Sequence, residues 1–329
     1  MKVKVIMATI FIGSLYACES KNSLMRKEAD AFLIRMGTEL QSGQRDAILE
    51  AIDGDNKKLG QIRNARNSQP VYPKNVKVTH PTSKTRLYTN TETGAGNKPL
   101  LIYLHGGGWT IGSLNSCARF CGEVCSQGGV SVLAVDYRLA PEHPYPAPLD
   151  DCEAAIRLAL EKAGEWGCSA KRVIVGGDSS GGNLAIASTL RMEKGDVSGL
   201  LLFYPVTKAW DDGSQSWLKY GKGFGLDGDL MEAFNRSYIL PEQARNAEVS
   251  PMCAKDEVLK RLPRTLLIAA GCDILADQGK EFVKRITALG VDAARIEFSK
   301  AVHLFITVPG QDTAFKEAVK ETIAYLNRE

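Results

Sequence analysis

From residue 100 onward, the sequence alternates short apolar runs with longer stretches that suit helices. A strand followed by a helix and then another strand is the repeating unit of parallel sheets, and such connections are nearly always right-handed. The alternation therefore predicts an α/β fold with a mostly parallel central sheet flanked by helices. The predicted strands are 100–104, 130–137, 173–176, 200–204, 265–270 and 295–298.

The segment before this alternation predicts both helices and strands. Residues 24–52 are rich in helix formers and carry apolar residues at helical spacing, which predicts two helices. Residues 76–88 alternate as strands do, with a turn at 81–84. We expect residues 18–329 to form a single domain, because α/β chains of this length often have one core with insertions.

The interval 207–263 is longer than a simple crossover and predicts helices of its own. Its aromatic residues indicate either a lid over a site or the packing of a surface excursion, and the sequence leaves both readings open. We expect this interval and residues 19–70 to form a helical cap. The aromatic residues are Trp210, Trp217, Phe224, Phe234 and Tyr238.

The chain's charge excludes some classes of partner. Lys and Arg exceed Asp and Glu by only three and are dispersed, so no basic stripe for nucleic acid is present. The glycine-rich loops lack the spacing of a dinucleotide-binding turn and the lysine of a phosphate-binding loop. Cysteines 117, 121 and 125 share one predicted helix face, which favours core packing over metal binding. We therefore predict neither a cofactor nor a metal site.

The N-terminus resembles a bacterial export signal. Lys2 and Lys4 precede the mostly apolar stretch 5–17, which is too short to span a bilayer as a mature helix. Residues 15–18 resemble the lipobox of lipoproteins, in which cleavage precedes a lipidated cysteine, here Cys18. The prediction is a signal peptide over 1–17 and a membrane-anchored lipoprotein. A simple secretion signal and a helix on a cytoplasmic protein remain as alternatives.

Two glycine-rich segments, each directly after a predicted strand, indicate nucleophilic chemistry. Residues 177–183 read Gly-Asp-Ser-Ser-Gly-Gly-Asn, the G-x-S-x-G arrangement that exposes a serine on a sharp strand-to-helix turn. Residues 105–109 read His-Gly-Gly-Gly-Trp, whose glycines leave backbone N–H groups unobstructed. Acyl transfer needs both, because nucleophile and oxyanion donors must converge on one carbonyl. Ser179 is the predicted nucleophile.

Histidine is the expected base, because its pKa lies near working pH. The chain has four histidines. His80 precedes a proline, His105 belongs to the glycine loop and His143 lies in a proline-rich segment, which leaves His303. An orienting carboxylate should follow a strand and precede the histidine in sequence. Asp273 and Asp277 both satisfy this order.

The motifs resemble the hormone-sensitive-lipase-like carboxylesterases of the α/β-hydrolase superfamily, over residue 87 to the C-terminus. The resemblance is carried, in order, by 105–109, 136–146, 177–183, 273–277 and His303. It implies an α/β-hydrolase fold with a helical cap. It also implies that Asp273, the first acid of Asp-x-Leu-x-Asp, orients His303, with Asp277 the less favoured candidate.

The resemblance further implies an oxyanion hole. Its donors would be the N–H groups of Gly107, Gly108 and Ser180, with Gly106 permitting the turn. Two positions depart from the family pattern. Relatives often carry alanine at position 180, and many carry a small residue at position 304, where this chain has leucine.

The resulting prediction is a serine carboxylesterase that hydrolyses short- to medium-chain acyl esters through an acyl-enzyme. An amide or formamide hydrolase with the same triad is an alternative, as is a small-molecule binding protein on this scaffold. Trp109 and Phe305 are expected either to line the substrate pocket or to pack in the core. Arg138 and Glu142 are expected to form a buried ion pair.

Overall fold

The computed structural model describes residues 2–94 and 96–328, without the side chains of residues 2–19 and of Thr38. The predicted signal over 1–17 and the predicted lipidation at Cys18 thus lie outside the residues described in full. Within the part of the chain searched with side chains, no helix combines the length and the apolar character needed to cross a membrane.

One eight-stranded sheet runs through the molecule, with spatial order β1-β2-β4-β3-β5-β6-β7-β8. The first two pairings in this order are antiparallel and all the others are parallel. The predicted mostly parallel sheet is confirmed, including the two strands predicted at 76–88. The strands are β1 (Val76–Thr79), β2 (Thr85–Asn90), β3 (Lys98–Leu104), β4 (Ser131–Val135), β5 (Cys168–Asp178), β6 (Gly199–Phe203), β7 (Arg264–Cys272) and β8 (Ala293–Val302).

Helices cover both faces of this sheet, and successive residues of its central strands enter two different cores. In β3, Leu100, Ile102 and Leu104 pack on one face while Leu101 and Tyr103 pack on the other. The described helices are α1 (Lys2–Ile52), α2 (Lys57–Arg66), α3 (Ala118–Gly128), α4 (Ala147–Lys162), α5 (Ser180–Arg191), α6 (Gln215–Tyr220), α7 (Gly228–Tyr238), α8 (Asp256–Leu259), α9 (Ala276–Ala288) and α10 (Asp312–Leu326).

Helix α1 consists of two helical segments that meet at Gly37. This glycine has φ +62° and ψ 165°, which no helical residue adopts. The prediction of two helices within 24–52 is therefore confirmed. The second segment contacts the interval 207–263, because Gln41 exchanges two hydrogen bonds with Asp227, at 3.2 and 2.7 Å. The two segments predicted to form the cap thus meet through buried polar contacts.

The predicted Arg138–Glu142 ion pair is wrong. Arg138 instead donates two hydrogen bonds to the carboxylate of Asp151, near the start of α4, with both N···O distances 2.9 Å. Glu142 accepts two hydrogen bonds from Arg63 of α2, at 2.7 and 2.8 Å. The two residues are close in sequence, but each pairs with a helical residue that is more distant in the chain, Asp151 of α4 and Arg63 of α2. The prediction for Cys117, Cys121 and Cys125 is confirmed, since all three are buried free thiols.

Candidate active site

Ser179 lies on the tight turn between β5 and α5. Its backbone has φ +55° and ψ −119°, a conformation that costs energy for any residue other than glycine. The turn closes only because its flanks are glycine. A Cβ at position 177 would lie 2.5 Å from the Gly181 carbonyl carbon, and one at position 181 would lie 2.0 Å from the Leu104 oxygen. This crowding explains the small residues of the G-x-S-x-G motif.

A continuous hydrogen-bonded series joins Ser179, His303 and Asp273. The hydroxyl of Ser179 lies 3.0 Å from His303 Nε2, and His303 Nδ1 lies 2.6 Å from Asp273 Oδ2. All three side chains are buried. Since a carboxylate oxygen only accepts, Nδ1 carries the proton and Nε2 is free to accept the serine proton. Three residues distant in sequence thus have the arrangement that a nucleophile, a base and an orienting acid require.

The loop that carries His303 follows β8 and is held from two sides. Gln311 donates its amide to the carbonyl oxygens of Val302 and His303, at 3.2 and 3.0 Å, and accepts the Val302 N–H at 3.0 Å. The ring of Tyr204 packs on the imidazole with centroids 4.4 Å apart. Leu304 then adopts φ +73°. Glycine at position 304 would relieve this left-handed conformation, and the chain holds leucine there despite its cost.

Asp277, the alternative acid, faces another part of the structure. Its carboxylate accepts the N–H of Ser216 at 2.8 Å, at the start of α6. Asp273 lies between β7 and α9, and its second oxygen accepts the Leu275 N–H at 3.0 Å. The structure therefore brings Asp273, and not Asp277, to the histidine.

The glycine loop 106–108 lies beside the serine turn. Gly107 and Gly108 have φ +118° and +61°. A Cβ on Gly107 would lie 1.7 Å from the Ile111 oxygen, and one on Gly108 would lie 2.1 Å from the Phe234 ring. Ser180 opens α5, where the first N–H groups of a helix have no intrahelical acceptor. The glycine loop and the first turn of α5 therefore both lie next to Ser179.

Asp178, which the sequence analysis did not single out, links the two glycine motifs. Its Oδ1 accepts the Gly106 N–H at 3.0 Å and the Tyr103 hydroxyl at 2.9 Å, while its Oδ2 is buried without a partner among the described residues. Burial raises the pKa of Asp178 to about 6. The only sign of its role in the sequence is its position directly before Ser179. Nothing in the sequence indicates that Gln311 and Tyr204 hold the histidine loop.

The stability of the protein should depend on the ionisation of Asp178. A carboxyl group with a raised folded-state pKa contributes stability below its unfolded pKa, near about 3.9, and this contribution is lost as the pH rises through about 6. Asp178→Asn removes that dependence. We expect the stability of the wild type relative to the variant to fall by about 2–3 kcal/mol between about pH 4 and pH 7.5. Urea unfolding across this range measures it, and a pH-independent difference would contradict it.

Trp109 and Phe305 lie in the core. Trp109 is fully buried and stacks on Tyr238, with ring centroids 4.4 Å apart. Phe305 packs edge-on against Tyr204 at 4.8 Å. Of the two readings left open for these residues, the structure supports packing. Leu304, the residue before Phe305, lines the open cavity, whereas neither ring does.

A cavity of about 640 Å³ opens beside the glycine loop. The glycine loop contributes Gly106 and Gly107 to its wall, and Leu304 contributes from the histidine loop. The opposite wall comes from the N-terminal segment, through Met36 and Leu40 of α1 and residues that end α2 or follow it. Ser179 and His303 are not part of this lining, and the cavity adjoins them through Gly106, Gly107 and Leu304.

Comparison with known proteins gives a consistent group of relatives. Residues 101–307 match the family described as having the alpha/beta hydrolase fold. The chain is 34% identical over 250 residues to carboxylic ester hydrolase LipN of Mycobacterium tuberculosis, which covers 72% of this chain and 66% of that protein. Carboxylesterase NlhH of the same organism is 34% identical over 239 residues, which covers 70% of this chain and 74% of that protein.

A solved structure shows the same similarity. Carboxyl esterase 2 of the fungus Tuber melanosporum superposes with a TM-score of 0.71 at 27% identity, over 79% of this chain and 88% of that one. The chain matches slightly less than two thirds of the length of LipN. The matched region 101–307 nevertheless contains the serine, the aspartate and the histidine.

Proposed function

Because this chain belongs to the hormone-sensitive-lipase-like carboxylesterases of the α/β-hydrolase superfamily, we propose that it hydrolyses carboxylic esters through an acyl-enzyme intermediate. The observation that carries the proposal is the hydrogen-bonded series from Ser179 through His303 to Asp273. A hydroxyl alone is a weak nucleophile, and an adjacent oriented base makes it reactive.

In the first half of the reaction, Ser179 Oγ bonds to the ester carbonyl carbon while its proton moves to His303 Nε2. The carbonyl electron pair moves onto oxygen and returns as the bond to the alcohol oxygen breaks. The departing alcohol takes the proton from Nε2. A water molecule then attacks the acylated serine in the same way, which releases the acid and restores the hydroxyl. Asp273 stabilises the imidazolium and fixes its tautomer.

The developing oxyanion is bound, in this proposal, by the N–H groups of Gly107, Gly108 and Ser180. Gly106 is not a donor, because its N–H already binds Asp178 at 3.0 Å. Gly106 instead sets the position of the loop relative to the serine turn. Donors fixed in this way need no reorganisation as charge develops on the substrate oxygen.

Gly107→Ala should displace this loop. The added Cβ would lie 1.7 Å from the Ile111 oxygen at a φ of +118°, so the backbone must move. We expect a loss of more than about 2 kcal/mol in unfolding free energy and a fall in kcat of about 10²- to 10³-fold. Gly60→Ala in α2 is the control, because its Cβ would meet nothing within 4 Å. Equal effects of the two substitutions would contradict the assignment.

The activity is tested with nitrophenyl esters from acetate to decanoate, an anilide and a formamide. We expect burst release of nitrophenol, highest with short- to medium-chain esters, and inactivation by a serine-directed phosphonate. Faster turnover of the anilide or the formamide would instead favour amide hydrolysis. Stoichiometric binding of an ester without turnover would favour a binding protein on this scaffold.

We also propose that the protein is exported and attached to a membrane through Cys18. The support is the charged and apolar pattern of residues 2–17 followed by a cysteine. Mass spectrometry of the protein from its native cells tests this. A diacylglyceryl-modified Cys18 at the N-terminus is the expected result, and retention of Met1 would contradict export.

A further inference from the structure

The cavity beside the glycine loop carries charge of one sign only. Its only ionisable lining residues among those described are Arg66 and Arg119, and no carboxylate faces it. Most of the remaining wall is apolar, with Met36, Leu40 and Val71 among its members. A cavity of this kind accepts an apolar chain or ring that ends in a negative charge.

The two arginines differ in what they bind. Arg119 is neutralised, because its Nη2 lies 2.8 Å from Asp312 and its guanidinium lies 3.9 Å over the ring of Phe315. Arg66, at the end of α2, has no hydrogen-bond or carboxylate partner within the described structure, although it is only partly exposed. Burial without a counter-charge lowers the pKa of its guanidinium. Arg66 is therefore a desolvated cation that lacks a partner.

Arg63, one turn earlier on the same helix, has a structural role and contrasts with Arg66. It donates to the carbonyl oxygens of Thr110 and Ala140, at 2.9 and 2.8 Å, and pairs with Glu142. Arg63 thus fastens α2 to the loop that follows the glycine turn. Arg66 makes no comparable contacts. Keeping its guanidinium partly buried without a partner costs free energy, which a bound anion would offset.

We propose that Arg66 forms an anion subsite, and that the preferred substrates are esters that carry a free carboxylate. This inference rests on the proposed esterase function and names the substrate class of the same site. The planar guanidinium can hold a carboxylate with two parallel hydrogen bonds. One unpaired cation balances one negative charge, which favours a carboxylate over a doubly charged phosphate. The carboxylate can belong to the acyl part, as in a half-ester of a dicarboxylic acid, or to the alcohol part.

Two matched pairs of esters distinguish these arrangements. Mono-nitrophenyl glutarate is compared with nitrophenyl pentanoate for the acyl side, and 3-acetoxybenzoate with its methyl ester for the alcohol side. We expect the wild type to favour the charged member of at least one pair. In Arg66→Gln, the ratio of kcat/KM for the charged over the neutral ester should fall by about tenfold to one hundredfold, mainly through KM. Arg66→Lys should restore part of the ratio, because it keeps the charge without the planar fork.

Arg236→Gln is the matched control, since Arg236 is exposed on α7 and away from the cavity lining. Its charged-to-neutral ratio should equal that of the wild type. The proposal is overturned if Arg66→Gln leaves the ratio of both pairs unchanged, or if Arg236→Gln lowers it equally. A loss of activity on neutral and charged esters alike would make Arg66 a structural residue and would also overturn the proposal.

A failure of the proposed esterase function can be distinguished from a failure of the proposed anion subsite. If the wild type hydrolyses no ester, the proposed function fails, and the subsite is then judged by binding alone. Calorimetric titration of Ser179→Ala with monophenyl glutarate, with and without Arg66→Gln, gives that answer. A Kd that weakens by tenfold or more supports the subsite, and an unchanged Kd overturns it.

Discussion

Ser179→Ala is expected to lower kcat/KM for nitrophenyl butyrate by about 10⁴-fold or more, which is the largest effect of any single change proposed for this chain. The variant removes the only atom that becomes bonded to the substrate. Residual hydrolysis would reflect the backbone donors and the binding site alone. Initial rates with active-site titration measure the loss, and the nitrophenol burst should vanish with it.

The matched control for this substitution is Ser188→Ala in α5, the helix that follows Ser179. Ser188 is also buried, but its hydroxyl donates only to the backbone carbonyl oxygens of Leu184 and Ala185, at 2.6 and 3.5 Å. We expect this variant to keep its activity within about threefold of the wild type. Full activity of Ser179→Ala, with a normal burst, would refute the acyl-enzyme mechanism. Circular dichroism spectra of both variants should match that of the wild type.

Asp273→Asn should give the second largest loss, about 10⁴-fold in kcat near neutral pH. One oxygen of Asp273 accepts the Leu275 N–H at 3.0 Å and the other accepts from His303 at 2.6 Å. An asparagine that keeps the first bond turns its NH₂ group toward Nδ1. The imidazole would then carry its proton on Nε2 and could no longer accept from Ser179. Comparison of kcat for the two proteins on one ester measures this effect.

Asp277→Asn separates the role of Asp273 from that of a nearby carboxylate. Asp277 binds the Ser216 N–H and makes no contact with His303 in the structure. We expect its kcat to fall by less than about tenfold, with any larger effect on stability. If Asp277→Asn were as damaging as Asp273→Asn, the choice between the two acids of the Asp-x-Leu-x-Asp motif would be reversed.

The framework of the molecule could be predicted because its signals are local. Each parallel strand is a short apolar run, and each of the two glycine motifs is a contiguous stretch of sequence. The order of Ser179, Asp273 and His303 could be read for a similar reason, because each follows the end of a strand. Parallel strands bring these ends to one edge of the sheet.

Features that depend on contacts between distant segments could not be predicted. Arg138 and Glu142 lie between β4 and α4, their partners lie on α4 and α2, and no pattern in the sequence pairs them. Trp109 appeared equally suited to a pocket or to the core, and Tyr238, far along the chain, decides the matter by stacking on it. The buried link from Asp178 to Gly106 likewise exists only once β5 lies beside β3.

The cavity wall contributed by Met36, Leu40 and Arg66 lies more than one hundred residues before Ser179 in the chain. The proposed catalytic residues and this one wall of the cavity are consequently encoded in separate stretches of the gene. Exchanging residues 20–70 for those of a homologue would replace this wall and leave the wall beside the glycine loop in place. The bond-breaking machinery would pass through that exchange unaltered, which makes this scaffold a natural starting point for directed changes of substrate.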